Sequence, residues 1–148
     1  MKRYLLDTSA LLALWDEEEG VDTVSDLLQQ CENGQAKCFA CFMSQMEILY
    51  RVWKDENEQV GRLAYEQCKS LPIEWVHESA QLLEKAAQLK ATCRVSLADA
   101  WIAASALLHG ATLVHKDPEF ETVQCQQLAL PYKQTKIHED EGEYRLPA

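Results

Sequence analysis

Residues 96–117 read SLADAWIAASALLHGATLVHKD and contain the clearest succession of a helix and a strand in the sequence. Residues 97–109 form the least polar helix that the sequence predicts, with Ser96 suited to cap its start and Gly110 to follow its end. Residues 111–114 are a short apolar run that predicts a buried strand. An apolar helix leading through one glycine into a buried strand is typical of a parallel sheet covered by helices.

The same alternation continues on the N-terminal side and once beyond this stretch. It predicts an α/β fold in which a central parallel β-sheet is flanked by helices on both faces. We expect strands at residues 4–6, 37–43, 73–76, 111–114 and 127–130, and helices at 10–15, 21–31, 44–53, 57–70, 78–90 and 97–109.

The length of 148 residues fits one domain, because two domains of half this size would each lack a sufficient core. We assign residues 1–136 to that domain and residues 137–148 to an acidic C-terminal tail. The tail holds Glu139, Asp140, Glu141 and Glu143 against a single basic residue, Arg145.

The chain is acidic, with 24 Asp and Glu against 14 Lys and Arg and a net charge of −10. Proteins that coat nucleic acid need Lys and Arg for phosphate contacts, so this composition excludes a simple basic binding module. The composition does not exclude a functional site that is built from carboxylates.

The sequence contains no apolar run near the roughly 20 residues that a membrane-spanning helix requires. The apolar run at residues 4–6 is too short for the core of a signal peptide. We therefore expect a soluble cytoplasmic protein without a membrane partner. In a chain of this size, the six cysteines are expected to be buried free thiols, with a metal or redox site at Cys38 and Cys41 as the alternative.

Four acidic residues stand out by position: Asp7, Glu47, Asp99 and Asp117. Each fits a helix-capping role by itself. Ser44 with Glu47, and Ser96 with Asp99, match the capping box, while Asp7 and Asp117 each suit an N-cap.

Together the four acids suggest a different role. Three of them follow predicted strands and Asp99 lies at a helix start, and in a parallel α/β sheet these places share one edge, where ligands bind. Carboxylates crowded there repel one another unless a cation neutralises them. Oxygen ligands suit Mg²⁺ or Mn²⁺, which can activate water for phosphodiester hydrolysis.

Four segments carry these acids along the chain: LLDTSAL at 5–11, the helix start at Glu47, SLADAWIAASA at 96–106 and LVHKDPEF at 113–120. Together they resemble the PIN-domain family of ribonucleases, particularly the VapC-type toxins of bacterial toxin–antitoxin pairs. The third segment is the most specific, and all four occur in the family's order.

The resemblance implies a PIN-like fold and a metal-dependent endoribonuclease that uses Mg²⁺ or Mn²⁺. It implies that Asp7, Glu47 and Asp99 are the three core acidic ligands and Asp117 the more variable fourth. Thr8 or Ser9 then matches a hydroxyl position that orients the site. The implied partners are an RNA substrate, a second copy in a homodimer and a cognate antitoxin.

One departure concerns the segment before Asp117. The family often has Thr or Ser where this chain has His115, followed here by Lys116. His115 either bonds a water or phosphate or simply ends a strand, and Lys116 is a candidate for contact with RNA phosphate. Glu119 and Glu121 are close enough in sequence to replace Asp117 as the outer ligand.

Two other functions fit parts of the pattern. An aspartyl phosphotransferase or phosphatase would use Asp7 as nucleophile, but it normally has a second acid where this chain has Ser9. A non-catalytic PIN-like scaffold would bind RNA or a partner without cutting it. The stripe of Met46, Leu49, Tyr50 and Trp53 at helical spacing suits either core packing or such a partner.

Overall fold

A computed structural model describes residues 1–133, so the tail predicted at 137–148 and the end of the predicted domain lie outside the described residues. Within this range, strands and helices alternate as expected. The strands are β1 (Lys2–Leu6), β2 (Ala36–Cys41), β3 (Glu74–Val76), β4 (Thr112–His115) and β5 (Gln127–Ala129). The helices are α1 (Thr8–Asp16), α2 (Val21–Glu32), α3 (Phe42–Asp55), α4 (Glu58–Lys69), α5 (Ala80–Thr92) and α6 (Leu97–Leu108), with a short 3₁₀ helix at Pro118–Thr122.

The five strands form one parallel sheet in the order β3-β2-β1-β4-β5. From β1 the chain builds outward through β2 and β3, then returns to the other side of β1 for β4 and β5. The sheet order therefore reverses between β1 and β4, and such a reversal opens a crevice at the carboxyl ends of the strands.

Alternating side chains of the strands build two cores. Leu5 and Leu113 point to the face covered by α5 and α6, whereas Leu6 and Val114 point to the face covered by α1 to α4. All four side chains are fully buried. Because both faces are covered, the central strands are apolar at consecutive positions, as the sequence indicated.

The predicted boundary between β2 and α3 was wrong. The sequence pattern predicts a strand to residue 43 and a helix that Ser44 caps, but the helix begins at Phe42 and Ser44 lies inside it. The apolar run continues unbroken from the strand into the first helical turn, so hydrophobicity does not mark the change. Ser44 therefore does not form a capping box with Glu47.

The expectation that all six cysteines are free thiols was also wrong. Cys31 near the end of α2 and Cys38 in β2 are joined by a disulfide, with their Cα atoms 6.1 Å apart. The tight turn through Asn33 and Gly34 folds the strand back beside the helix and brings the two together. Cys41 points to the opposite face of the sheet from Cys38, as two residues three apart on a strand must.

None of the helices in residues 1–133 has both the length and the apolar character that a membrane crossing requires.

Helices α3 and α4 approach each other closely at Gly61. A Cβ atom placed on Gly61 would lie 2.9 Å from the carbonyl oxygen of Leu49 and 2.9 Å from the backbone nitrogen of Trp53. Both atoms belong to the backbone of α3, which cannot move aside like a flexible side chain. This contact fixes the position of the helix that carries Glu47.

We expect Gly61→Ala to lower the free energy of unfolding by about 1–3 kcal/mol, because the added methyl group forces the two helices apart. Helix propensity alone would give the opposite sign, since alanine favours helices by about 1 kcal/mol over glycine. Urea denaturation measures the change. Gln59→Ala, at an exposed position of the same helix, is the control, and a Gly61→Ala protein at least as stable as wild type would contradict the close packing.

Candidate metal centre and active site

The carboxylates that the sequence singled out meet at the crevice between β1 and β4. Asp7 follows the last residue of β1, and its N–H donates to the carbonyl of Val114 in β4 at 3.0 Å. Asp117 lies two residues beyond the end of β4. The reversal of the sheet order thus brings together two acids that are 110 residues apart in sequence.

Asp7 is buried and held by Ser9. Its Oδ2 accepts a 2.9 Å hydrogen bond from the backbone N–H of Ser9 and a second one from the Ser9 hydroxyl. Burial raises the pKa of Asp7 to about 6, against the lowering effect of the Ser9 hydrogen bonds and with a further increase from the charge of Glu47. Ser9 Oγ also accepts from the N–H of Lys116 at 2.8 Å, which ties the end of β1 to the end of β4.

Glu47 is held by Thr8. The Thr8 hydroxyl donates to Glu47 Oε1 at 2.6 Å and lies 2.8 Å from the hydroxyl of Ser44. Thr8 and Ser44 are both buried, so this link crosses from α1 to α3 within the protein interior. The two hydroxyl positions predicted to orient the site therefore act on different acids, Ser9 on Asp7 and Thr8 on Glu47.

Asp99 is free of the capping role that the sequence also permitted. Ser96 caps α6 as predicted, since its hydroxyl accepts from the N–H of Asp99 at 3.1 Å. The backbone N–H of Ser96, however, donates to Glu119 Oε1 at 2.9 Å rather than to Asp99. Glu119 thus completes the cap from 23 residues away and leaves the Asp99 carboxyl in the crevice.

Asp99, Asp117 and Glu119 have carboxylate oxygens within 4.8 Å of one another. Burial, the hydrogen bond to Glu119 and the charges of Asp7 and Asp117 raise the pKa of Asp99 to about 9. The same hydrogen bond lowers the pKa of Glu119. Without a cation, the Asp99–Glu119 pair therefore retains one proton into the neutral pH range.

The geometry separates the three candidates for the outer ligand. Asp117 and Glu119 both join Asp99, whereas Glu121 accepts a 2.8 Å hydrogen bond from the hydroxyl of Tyr132 and does not line the crevice. Asp117 Oδ1 accepts from the N–H of Glu119 at 2.9 Å, an N-cap that fixes the two acids relative to each other.

His115 does not reach the crevice. It is fully buried, its Nδ1 accepts from the backbone N–H of Asp117 at 3.1 Å, and its Nε2 lies 2.9 Å from Oε1 of Gln127. With Nδ1 accepting, we infer that Nε2 carries the proton and donates to Gln127. Both ring nitrogens are used, so the ring positions Asp117 rather than contacting a phosphate.

Lys116 lines the crevice, but its charge is already paired. Its buried Nζ lies 3.3 Å from Glu18 Oε1 and donates to the carbonyl of Glu19 at 2.8 Å. Glu18 also binds Lys133, at 2.8 Å. Partial burial by itself raises the pKa of Glu18, yet the hydrogen bonds from the two lysines hold it below its usual value.

The crevice has a volume of about 470 Å³ and a strong excess of negative charge. Its acidic lining residues are Asp7, Asp16, Glu18, Glu47, Asp55, Glu56, Asp99, Asp117 and Glu119, and its basic ones are Arg51, Lys116 and Lys133. Carboxylate oxygens are the ligands preferred by hard divalent cations. The donor set, together with the raised pKa values of Asp7 and Asp99, therefore fits a site for a divalent cation.

Several residues that line the crevice were not predicted from the sequence. Glu18 and Lys133 enter through contacts between distant segments, which no local pattern reveals. Arg51 had a readable signal, because it lies four residues after Glu47 on the same helix and so shares its face.

A comparison with known protein families finds the PIN domain over residues 4–124. The chain belongs to the PIN-domain family. No curated protein sequence matches the chain.

Solved structures share this PIN fold. A chain of VapBC2 from Rickettsia felis, bound to a DNA fragment from its promoter, matches with a TM-score of 0.70 and 18% identity over 86% of this chain and 98% of that one. DNA-bound VapBC from Salmonella typhimurium matches at 0.70 and 18%, over 87% and 98%. VapC20 from Mycobacterium tuberculosis, a toxin that cleaves the sarcin–ricin loop, matches at 0.68 and 16%, over 85% and 98%.

The raised pKa of Asp99 predicts how stability depends on pH. The folded protein holds the proton of Asp99 up to about pH 9, whereas the unfolded chain releases it near its ordinary value of 3.8. Wild-type protein in EDTA therefore loses stability relative to Asp99→Asn as pH rises from 4 to 8. We expect the variant to be more stable by about 2 kcal/mol at pH 8, with the difference narrowing toward pH 4.

Urea denaturation of both proteins at pH 5 and pH 8 checks this expectation. Taking the difference between the two proteins cancels the titration of groups that they share. A stability difference that stays constant with pH, or a variant that is less stable than wild type at pH 8, would contradict the conclusion that crowding raises the pKa of Asp99.

Proposed function

We propose that this protein is a metal-dependent endoribonuclease that hydrolyses RNA phosphodiester bonds. The observation that carries the proposal is the convergence of Asp99, Asp117 and Glu119 within 4.8 Å, in a crevice that Asp7 and Glu47 also line. Such a set of acids destabilises the protein at neutral pH unless it holds a cation, so its arrangement favours binding over structural stability.

The five acids divide into two groups in this proposal. Asp7, Glu47 and Asp99 hold Mg²⁺ or Mn²⁺, and Asp117 and Glu119 supply the outer ligands. A cation held by these residues would activate a water for attack on phosphorus and would neutralise charge that develops on the phosphate. Ser9 and Thr8 keep Asp7 and Glu47 in fixed orientations, which places their oxygens without reorganisation when substrate binds.

The structural relatives suggest the biological setting. VapC20 is described as cleaving the sarcin–ricin loop, an RNA, and the chains from Rickettsia felis and Salmonella typhimurium come from VapBC. We propose that this chain is likewise the toxin of a type II toxin–antitoxin pair, that a cognate antitoxin inhibits it, and that it acts in the cytoplasm.

Replacing a core acid should abolish cleavage. We expect Asp7→Asn or Asp99→Asn to reduce Mn²⁺-dependent cleavage of RNA by about a hundredfold or more, because an amide cannot neutralise the cation. Gel analysis of labelled RNA incubated with the purified full chain measures the rate. Glu121→Gln is the matched control, since Glu121 lies on the same 3₁₀ helix as Glu119 but outside the crevice.

Cleavage that persists in EDTA, or that survives in both asparagine variants, would refute the metal-dependent mechanism. If the wild-type protein bound RNA without cutting it in Mn²⁺, the non-catalytic scaffold would replace the nuclease.

We further propose that the protein forms a homodimer through the outer face of α3. Met46, Tyr50 and Trp53 are 59%, 42% and 41% exposed and lie at i, i+4 and i+7, so they form one apolar stripe. Large apolar side chains exposed in a row are typical of a protein–protein interface. The exposure of these side chains supports a contact surface over core packing, the two roles between which the sequence left the choice open.

Introducing a charge into this stripe should weaken the dimer. We expect Met46→Glu to shift the protein from dimer to monomer by at least about tenfold in dissociation constant, because the carboxylate loses its water in the interface. Light scattering coupled to size-exclusion chromatography measures the mass. Leu83→Glu, at a 47% exposed position on the other face of the sheet, is the control. A monomeric wild type, or an unaffected variant, would contradict this interface.

A further inference from the structure

Arg51 lies beside the proposed catalytic acids without taking part in holding them. It is one helical turn after Glu47 on α3, it lines the same crevice, and it is exposed. Residues four apart on a helix share a face, so a guanidinium at this position is carried along the same wall as the Glu47 carboxylate.

The two other basic side chains of the crevice already have partners within the protein. Lys116 is buried against Glu18 and the carbonyl of Glu19, and Lys133 binds the second oxygen of Glu18. Their contacts fasten the connection between α1 and α2 to the end of β4. Neither ammonium group is therefore free to meet a substrate without breaking this link.

Arg51 differs because it makes no ion pair or side-chain hydrogen bond with any residue in the described range of 1–133. An exposed arginine without a partner contributes little to stability, so packing does not account for its place in the crevice. Arg51 lines the crevice, its side chain offers five N–H donors, and the other two basic residues of the lining are already paired.

We propose that Arg51 binds a backbone phosphate of the RNA next to the bond that is cut. The inference rests on the proposed nuclease function and adds a residue that binds substrate but holds no metal. A guanidinium presents two parallel N–H groups that match two phosphate oxygens. Its positive charge also reduces the net repulsion of RNA by the crevice, whose lining includes Asp16, Asp55 and Glu56 as well as the proposed ligands.

Binding of RNA in Ca²⁺, measured by fluorescence anisotropy, tests Arg51 without relying on cleavage. The probe is a labelled single-stranded RNA of mixed sequence, titrated with the full chain at several salt concentrations. We expect Arg51→Gln to weaken binding about tenfold and Arg51→Lys to restore part of the loss. The slope of log affinity against log salt should fall by about 0.7, as expected when one phosphate contact is lost.

The matched control is Arg62→Gln, which removes the same group from α4, where Arg62 pairs with Glu58 away from the crevice. This control should leave affinity and slope unchanged. Equal affinity for wild type and Arg51→Gln, or an equal loss in both arginine variants, would overturn the proposal, and so would a wild type that does not bind RNA.

Cleavage kinetics in Mn²⁺ separate this proposal from the nuclease function. If both hold, Arg51→Gln raises KM about tenfold and changes kcat less than about threefold. Binding that depends on Arg51 without any cleavage by wild type would refute the nuclease and retain the phosphate contact. Cleavage with an unchanged KM in Arg51→Gln would retain the nuclease and overturn the role of Arg51.

Discussion

The repulsion among carboxylates at one edge of a parallel sheet is the constraint on which this structure depends. The order β3-β2-β1-β4-β5 forces the ends of β1 and β4 together and so places Asp7 and Asp117 in one crevice. Burial prevents water from screening the charges, as the raised pKa values of Asp7 and Asp99 show. Ser9 and Thr8 hold Asp7 and Glu47 in place against this repulsion, and a divalent cation is the simplest means of relieving it.

Much of the fold could be predicted from the sequence because hydrophobic periodicity is a local property. The five strands and six helices within residues 1–133 were all expected near their observed positions, and the two-faced burial of β1 and β4 follows from consecutive apolar residues such as Leu5 and Leu6. The start of α3 was missed because the apolar run crosses the boundary. The bond between Cys31 and Cys38 was missed because it depends on how a turn folds back, which residue counts do not reveal.

In the acidic site, too, local patterns could be predicted from the sequence, whereas contacts between distant residues could not. The positions of Asp7, Glu47, Asp99 and Asp117 were readable because each stands at the end of a predicted strand or the start of a predicted helix. The sequence did not reveal that Glu119, rather than Asp99, accepts the hydrogen bond from the backbone N–H of Ser96. This contact joins residues that are 23 apart, and it competes with an equally good local cap. The burial of His115 and the pairing of Lys116 likewise depend on Gln127 and Glu18, which approach only in the folded chain.

The excess of acid also acquires a more specific meaning. A net charge of −10 argues against a protein that holds RNA by electrostatic attraction, and the crevice concentrates that charge. RNA can enter such a crevice only where cations offset the carboxylates locally. We propose that a divalent ion offsets this charge at Asp99 and that Arg51 offsets it on the adjacent wall. The affinity for RNA then comes from a few contacts in the crevice and depends on the metal.

Calorimetric titration of Mn²⁺ into the full chain at pH 7, repeated in two buffers of different ionisation enthalpy, tests whether the crowded carboxylates bind a divalent cation. We expect saturable binding with the release of about one proton per ion, because the Asp99–Glu119 pair holds one proton at this pH until the cation displaces it. Absence of saturable binding at millimolar Mn²⁺, or binding whose heat is the same in both buffers, would contradict it.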